Sequence, residues 1–369
     1  MAKGTLPAAL LYLCVALSAS GQAHKTSSFG KQKPAPSTAK SPAALSGKAS
    51  PSARFIPTEA GLKVAFIGDS GIGPHQREVL KLIQAEGAQI VLHQGDFDYH
   101  DNPTAFWSSV DEVLGANFPY FVSVGNHDVA EWPTTSKPSY AQYFFERLTR
   151  MGVTADSMEL NNEMYSLAFK GLKIVFVGEQ RGTGDRIYAP YIKKQLKNDD
   201  HIWKVCSWHR NMNAMQMGNK TDDMGWGVYE ACREYGAIIA TAHEHSYERT
   251  KTLSSISEQT VDPSSPDPAQ LVAAPGRTFV FVSGLGGDSI RVQKRCLPAE
   301  PPYGCKGEWA KIYTSTQNAQ YGALFITFNV DGDPNKAHGY FKNVGGVIVD
   351  EFDVTKGPGV STSHVQPGK

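Results

Sequence analysis

Lys63–Gly71 reads KVAFIGDSG. Four apolar residues in a row, too short a run for a helix, stop at Gly-Asp and a turn. The same shape returns in Gln89–Tyr99, QIVLHQGDFDY, and in Phe118–Asp128, FPYFVSVGNHD. Short apolar runs closed by Gly and polar residues are the pattern of strands buried on both faces. Between them lie helical patterns. In Arg77–Gly87, REVLKLIQAEG, Val79, Leu82 and Ile83 share one face, and Gly87 can cap the end. Pro103–Ala116, PTAFWSSVDEVLGA, opens on a proline suited to a first helical turn. Strand then helix, repeated, implies a sheet with parallel strands. Leu172–Glu179, Trp203–His209, Gly236–His245 and Thr278–Leu285 extend the set. Ala323–Asp333, Ala337–Asn343 and Val347–Val354 read as an antiparallel meander. The expected class is α/β, a two-sheet β-sandwich flanked by helices in four layers, αββα. Loops after the carboxyl ends of such strands are where function collects.

Five polar clusters fall there: GDSG (Gly68–Gly71), GDFDY (Gly95–Tyr99), GNHD (Gly125–Asp128), WHR (Trp208–Arg210) and AHEH (Ala242–His245). They supply Asp69, Asp96, Tyr99, Asn126, His127, His209, His243 and His245. Carboxylate, phenol, amide and imidazole are oxygen and nitrogen donors suited to iron, zinc or manganese. Thiolates are absent from the set, which argues against a closed structural zinc site. Taken singly, a GDSG or GNHD is as well explained by a turn, and His209 by an ordinary core histidine. Five such clusters, each after an apolar run, are not. The other histidines read as core (His93), pocket rim (His100) or surface (His75, His201, His338, His364).

The order GDxG, GDxxY, GNH[DE], a strand His, then GHxH resembles the signature of purple acid phosphatases within the calcineurin-like metallophosphoesterases. Ala242–Arg249, AHEHSYER, is similar to that family's GHxHxYER, and the resemblance spans roughly Lys63 to Asp353. It implies a dinuclear centre. Asp69, Tyr99 and His245 would hold Fe(III). Asn126, His209 and His243 would hold Fe(II), Zn(II) or Mn(II), with Asp96 bridging. It further implies hydrolysis of phosphate monoesters by a metal-activated hydroxide. His127 would protonate or steady the leaving oxygen, with Asp128 orienting His127 through its other ring nitrogen. Three departures stand out: Cys206 where the family has Val, Ala242 where it has Gly, and no histidine between His209 and His243. The last removes the family's substrate-facing histidines, so Arg210, Asn211 or Lys220 is expected to take the phosphate, with His100 at the rim. A phosphodiesterase or nucleotidase on the same fold is the alternative. The loops Pro133–Pro138, Met212–Gly227 and Val261–Gly276 would choose between them. A catalytically dead binding protein is the remaining alternative, and keeping every expected ligand argues against it.

The rest of the chain sets the context. Residues 1–23 read as a signal peptide, with Lys3 before the apolar run Leu10–Leu17 and small residues after it. That run is shorter than the ~20 apolar residues a spanning helix needs. Residues 24–54 form a Ser/Ala/Pro/Lys-rich linker, residues 55–356 the catalytic domain, and residues 357–369 a polar tail. Lys/Arg and Asp/Glu number 36 each, yet residues 1–54 hold seven basic and no acidic side chains, leaving the remainder formally −7. A body of that sign is a poor nucleic-acid binder, so small phosphorylated molecules are the expected partners. Secretion, no membrane contact after cleavage, and a glycan at the sequon Asn219-Lys220-Thr221 accord with such a chain. In an oxidising compartment Cys296 and Cys305 are expected to close a loop as a disulfide, while Cys206 and Cys232 either pair or stay buried thiols.

Overall fold

The computed structural model describes residues 55–133, 138–159, 162–180 and 182–357. The expected signal segment, the linker through residue 54 and the tail from residue 358 lie outside the described residues.

Two sheets carry the architecture. One has seven strands in the order Gln270–Val272, Ile348–Thr355, Asp333–Asn343, Gly322–Val330, Leu62–Ile67, Ile90–His93, Tyr120–Val122. The other has eight: Trp309–Tyr313, Tyr247–Thr250, Val280–Ser283, Ile238–Thr241, Trp203–Ser207, Leu172–Phe176, Met164–Phe169, Ser157–Glu159. Each sheet contains a parallel block. In the first, Leu62–Ile67, Ile90–His93 and Tyr120–Val122 run side by side. In the second, Leu172–Phe176, Trp203–Ser207, Ile238–Thr241 and Val280–Ser283 do. The meander expected over 323–354 is present, antiparallel throughout.

Apolar residues on both faces of the strands explain the layering. Leu62, Val64 and Phe66 face the opposite sheet and are fully buried. Phe66 meets Phe281 edge-on at 5.1 Å between ring centroids, and Tyr247 stacks on Phe341 at 4.2 Å. The helix expected from REVLKLIQAEG spans Pro74–Ala85 and buries Val79, Leu80 and Ile83, while Leu82 is only partly covered. Gly87 closes it at φ +68°. Pro103–Leu114 starts where expected, its Asn102 side chain accepting the Ala105 N–H at 3.0 Å. On the outer face of the second sheet, helices Tyr188–Leu196 and Trp226–Glu234 enclose a separate apolar cluster with Val175, Ile239 and Val280. Layers of helix, sheet, sheet and helix result, as the sequence pattern predicts.

Cys206, on strand Trp203–Ser207, pairs with Cys232 on helix Trp226–Glu234, with Cα atoms 6.4 Å apart. Cys296 pairs with Cys305 at 4.7 Å, closing the expected loop. Both separations suit a disulfide. Non-reducing peptide mapping is expected to recover both crosslinks. Alkylatable thiols at Cys296 and Cys305 in secreted material would refute the loop bridge. The Cys206–Cys232 link closes a longer loop, and opening it is expected to cost about 3 kcal/mol of unfolding free energy.

Candidate metal centre

The carboxyl ends of both parallel blocks meet, and all five polar clusters sit in the turns that follow them. Four of the expected ligands take left-handed backbone conformations: Asp69 (φ 53°), Asp96 (57°), Tyr99 (65°) and His243 (69°). Each such residue costs roughly 1–2 kcal/mol, so a cluster of them marks a site where geometry outranks stability. The second histidine motif was expected at a strand end. The strand stops at Thr241 and the chain turns at His243, so the motif lies at that end. Gly125 lets the loops interleave, since a Cβ there would stand 2.1 Å from the Asp96 nitrogen. Ala242, a departure from the family pattern, has room because its methyl faces Gly68, where a Cβ would lie only 2.4 Å away.

The donors form two groups. In the first, Tyr99 Oη lies 3.1 Å from Asp69 Oδ1 and 3.2 Å from His245 Nε2, and the latter two are 3.3 Å apart. In the second, His209 Nε2 lies 3.1 Å from Asp96 Oδ2 and 3.0 Å from His243 Nδ1. Ligands ~2.1 Å from one cation at right angles stand ~3 Å apart, so both groups fit an ion at their centre. Asn126 Oδ1 is buried without any hydrogen-bond partner, an orphaned acceptor beside the second group.

The imidazoles are oriented from behind. His209 Nδ1 is 2.8 Å from the Gln94 carbonyl, which fixes a proton there and leaves Nε2 as the donor. His245 Nδ1 meets Ser289 Oγ at 2.6 Å, again leaving Nε2 forward. Burial, with His209 adding to it, pushes His243 well below the usual imidazole range. Burial and then Arg291 bring His245 down to about 3. Both rings are therefore neutral and able to ligate. Burial raises Asp69 to about 7, with His209 opposing and Asp96 reinforcing. Burial, then Asp69, drives the Tyr99 phenol far above its ordinary value, so only a bound cation would remove its proton.

A cavity of about 350 Å³ opens over these groups, lined by Asp96, Asn126, His127, His243 and His245 together with Asn219, Lys220, Thr221, Asp223 and Arg291. His127 faces it, its ring 4.6 Å from that of Tyr99 between centroids. His93 is core, as expected, with Nε2 on Ser70 Oγ at 3.0 Å.

Several expectations change here. Asp128 was expected to orient His127. Its carboxylate instead accepts three backbone N–H groups, from Asp96 (2.8 Å), Phe97 (2.8 Å) and Gly125 (2.7 Å). Arg210 is not a free phosphate fork: its guanidinium is matched by Glu179 and by Asp223 at 2.8 Å, and stands 3.3 Å from His243 Nε2. Asn211 donates to the Ala242 carbonyl at 2.6 Å and accepts from Tyr229, so it braces the loop rather than facing the cavity. His100 is exposed and does not line the cavity. Of the candidates for phosphate contact, Lys220 alone lines it, joined by Arg291, which lies in no motif of the sequence. The sequon Asn219-Lys220-Thr221 sits at the same wall.

Residues 62–247, half of the chain, match the calcineurin-like phosphoesterase family, and the chain belongs to that family. Within it the chain is similar to two purple acid phosphatases of Arabidopsis thaliana. It is 25% identical to purple acid phosphatase 21 over 53% of this chain and 47% of that protein. It is 22% identical to purple acid phosphatase 22 over the same shares. The chain thus spans about half the length of the curated relatives it matches. Among solved structures it is similar to GAP50, the anchor in the inner membrane complex of Plasmodium. The TM-score is 0.52 at 10% identity, covering 82% of this chain and 90% of that one, which is a likeness of fold alone. Membership of this metallophosphoesterase family implies a dinuclear metal centre, which the two groups of donors fit. No helix among the described residues is long and apolar enough to cross a membrane.

Proposed function

We propose that this chain is a purple-type acid phosphatase that hydrolyses small phosphate monoesters. The observation that carries the reading is the triangle of Asp69, Tyr99 and His245, in which a half-buried phenol is held with a carboxylate and an imidazole at 3.1–3.3 Å. A phenol in that position suits Fe(III). Asn126, His209 and His243 would hold the divalent ion, iron, zinc or manganese, and Asp96 would bridge. When bound, the two cations supply an activated water and neutralise charge on the phosphoryl group. His127, on the cavity wall, donates a proton to the departing oxygen. Lys220 and Arg291, which line the same cavity, hold the phosphoryl oxygens. Two cysteine pairs and the N-terminal segment support a secreted protein.

Iron-loaded protein is expected to show a broad visible band from phenolate-to-Fe(III) charge transfer, and Tyr99→Phe is expected to lose it. A colourless wild type with full iron occupancy, or an unchanged band in the variant, removes the purple subclass. The monoester preference is checked with p-nitrophenyl phosphate against its bis ester; faster turnover of the diester would reverse it.

A further inference from the structure

Trp203, Tyr235 and Pro275 stand at or before the amino ends of three parallel strands, Trp203–Ser207, Ile238–Thr241 and Val280–Ser283. The candidate ligands His209, His243 and His245 follow the carboxyl ends of the first two. At ~3.3 Å per residue, roughly 20 Å separate Trp203 from His209 along the chain, so this end of the sheet is no part of the metal centre.

A cavity of about 400 Å³ opens there. Its lining mixes Phe55, Ile202, Tyr235 and Pro275 with three bases, His201, Lys204 and Lys356. No Asp or Glu stands among the described residues that line it. Asp199, close by, answers two of the bases, lying 3.0 Å from His201 Nδ1 and 3.8 Å from Lys204 Nζ. Lys356 is left over. Its Nζ donates to the Gly236 carbonyl at 3.1 Å and stands 5.3 Å from the centre of the Trp203 ring, and it forms no ion pair among the described residues. Burial, and then Lys204, lowers Lys356 to about 7. A covered cation without a counter-charge is unfavourable, and an anion set beside it would relieve that.

The frame around the cavity is pinned by backbone bonds. The Ile56 N–H donates to the Asp200 carbonyl and the Ile202 N–H to the Ile56 carbonyl, both at 2.9 Å. The Lys356 N–H reaches the Asn335 carbonyl at 3.0 Å, and Trp203 Nε1 the Pro334 carbonyl at 2.8 Å. A site arranged before its ligand arrives lowers the ordering cost of binding. Phe55, held next to this frame, is 68% exposed, a large apolar surface that a ligand could cover.

We infer that this cavity binds a small amphiphilic anion, with an aromatic or aliphatic body against Phe55, Ile202 and Tyr235 and a single acidic group at Lys356 and Lys204. Concave sites of roughly 300–1,000 Å³ with mostly apolar walls and a few charged groups are the kind that small molecules occupy. The segment before Phe55 has the wrong sign to fill it, since residues 1–54 hold seven basic and no acidic side chains. The site is independent of the phosphatase reading, because none of its residues lines the metal-centre cavity.

The test uses the full chain and two fluorescent dyes with the same rings, anilinonaphthalene sulfonate and the uncharged phenylnaphthylamine. Lys356→Met is expected to weaken binding of the sulfonate about tenfold and to leave the uncharged dye nearly unchanged, while Lys356→Arg keeps both. Lys204→Gln is expected to shift the sulfonate in the same direction, which keeps the test decisive should Lys356→Met fold poorly. An equal fall for the two dyes, or no fall of the sulfonate with either lysine variant, overturns the site. So does a fall with Lys220→Ala in place of the Lys356 and Lys204 variants, which would put the dye in the metal-centre cavity.

Discussion

Replacing His127 by alanine is expected to leave both metals bound and to lower turnover by ~10²–10⁴, the range for loss of a general acid. The structure separates this side chain from the ligand groups. Its ring faces the cavity, packed 4.6 Å from that of Tyr99 between centroids, and its backbone N–H donates to Asp96 Oδ1 at 2.9 Å. That bond survives the substitution, so the loop keeps its shape. The loss is expected to shrink for esters with acidic leaving alcohols, which need little protonation, and to grow for alkyl phosphates. Two measurements decide: metal content of the variant, and kcat across a series of leaving groups. A variant that loses metal would make His127 a ligand. A loss independent of the leaving group would make it a binder of phosphoryl oxygens instead.

What could be read in the sequence was local. KVAFIGD and its repeats carry strand, turn and carboxylate within seven residues, so Asp69 and Asp96 announce themselves, as do His243 and His245 two apart. The two-sheet sandwich follows from the same runs plus a meander with its own turn residues. The roles that were misread depend on partners distant in the chain. Asp128 spends its carboxylate on N–H groups some 30 residues earlier. Arg210 is matched by Glu179, 31 residues before it, so its charge is already balanced. Arg291 and Lys294 lie in a stretch, SIRVQKRC, with no apolar period to place it. Backbone bonds such as those from Arg291 to His245 and from Lys294 to Met217 hold this stretch against the loops of the site, and Arg291 lines the cavity. Strands of three residues, such as Ser157–Glu159, are too short to show a period at all.

Asp128→Asn is expected to weaken metal binding by 10–100-fold rather than to lower turnover alone. Oδ2 of Asp128 serves two donors, the N–H groups of Asp96 and Gly125, and Oδ1 serves Phe97. These bonds join the GDFDY loop to the GNHD loop and so set Asp96 against Asn126. An asparagine has one acceptor oxygen. Placed at the two-donor position, it turns its NH₂ group onto the Phe97 N–H, donor against donor, in a fully buried site. Burial and then Asp96 push the Asp128 carboxyl upward, and the N–H groups of Phe97 and Gly125 oppose them. Leaving a buried N–H without an acceptor costs about 1–3 kcal/mol. The relaxed loop would carry Asp96 and Asn126 away from the ion they are proposed to share. Metal titration of the variant, with thermal unfolding beside it, distinguishes the two roles. Weaker metal binding and a lower Tm support the brace between the loops. Full metal content with a turnover loss like that of His127→Ala would restore the simpler picture, in which Asp128 acts on the His127 ring.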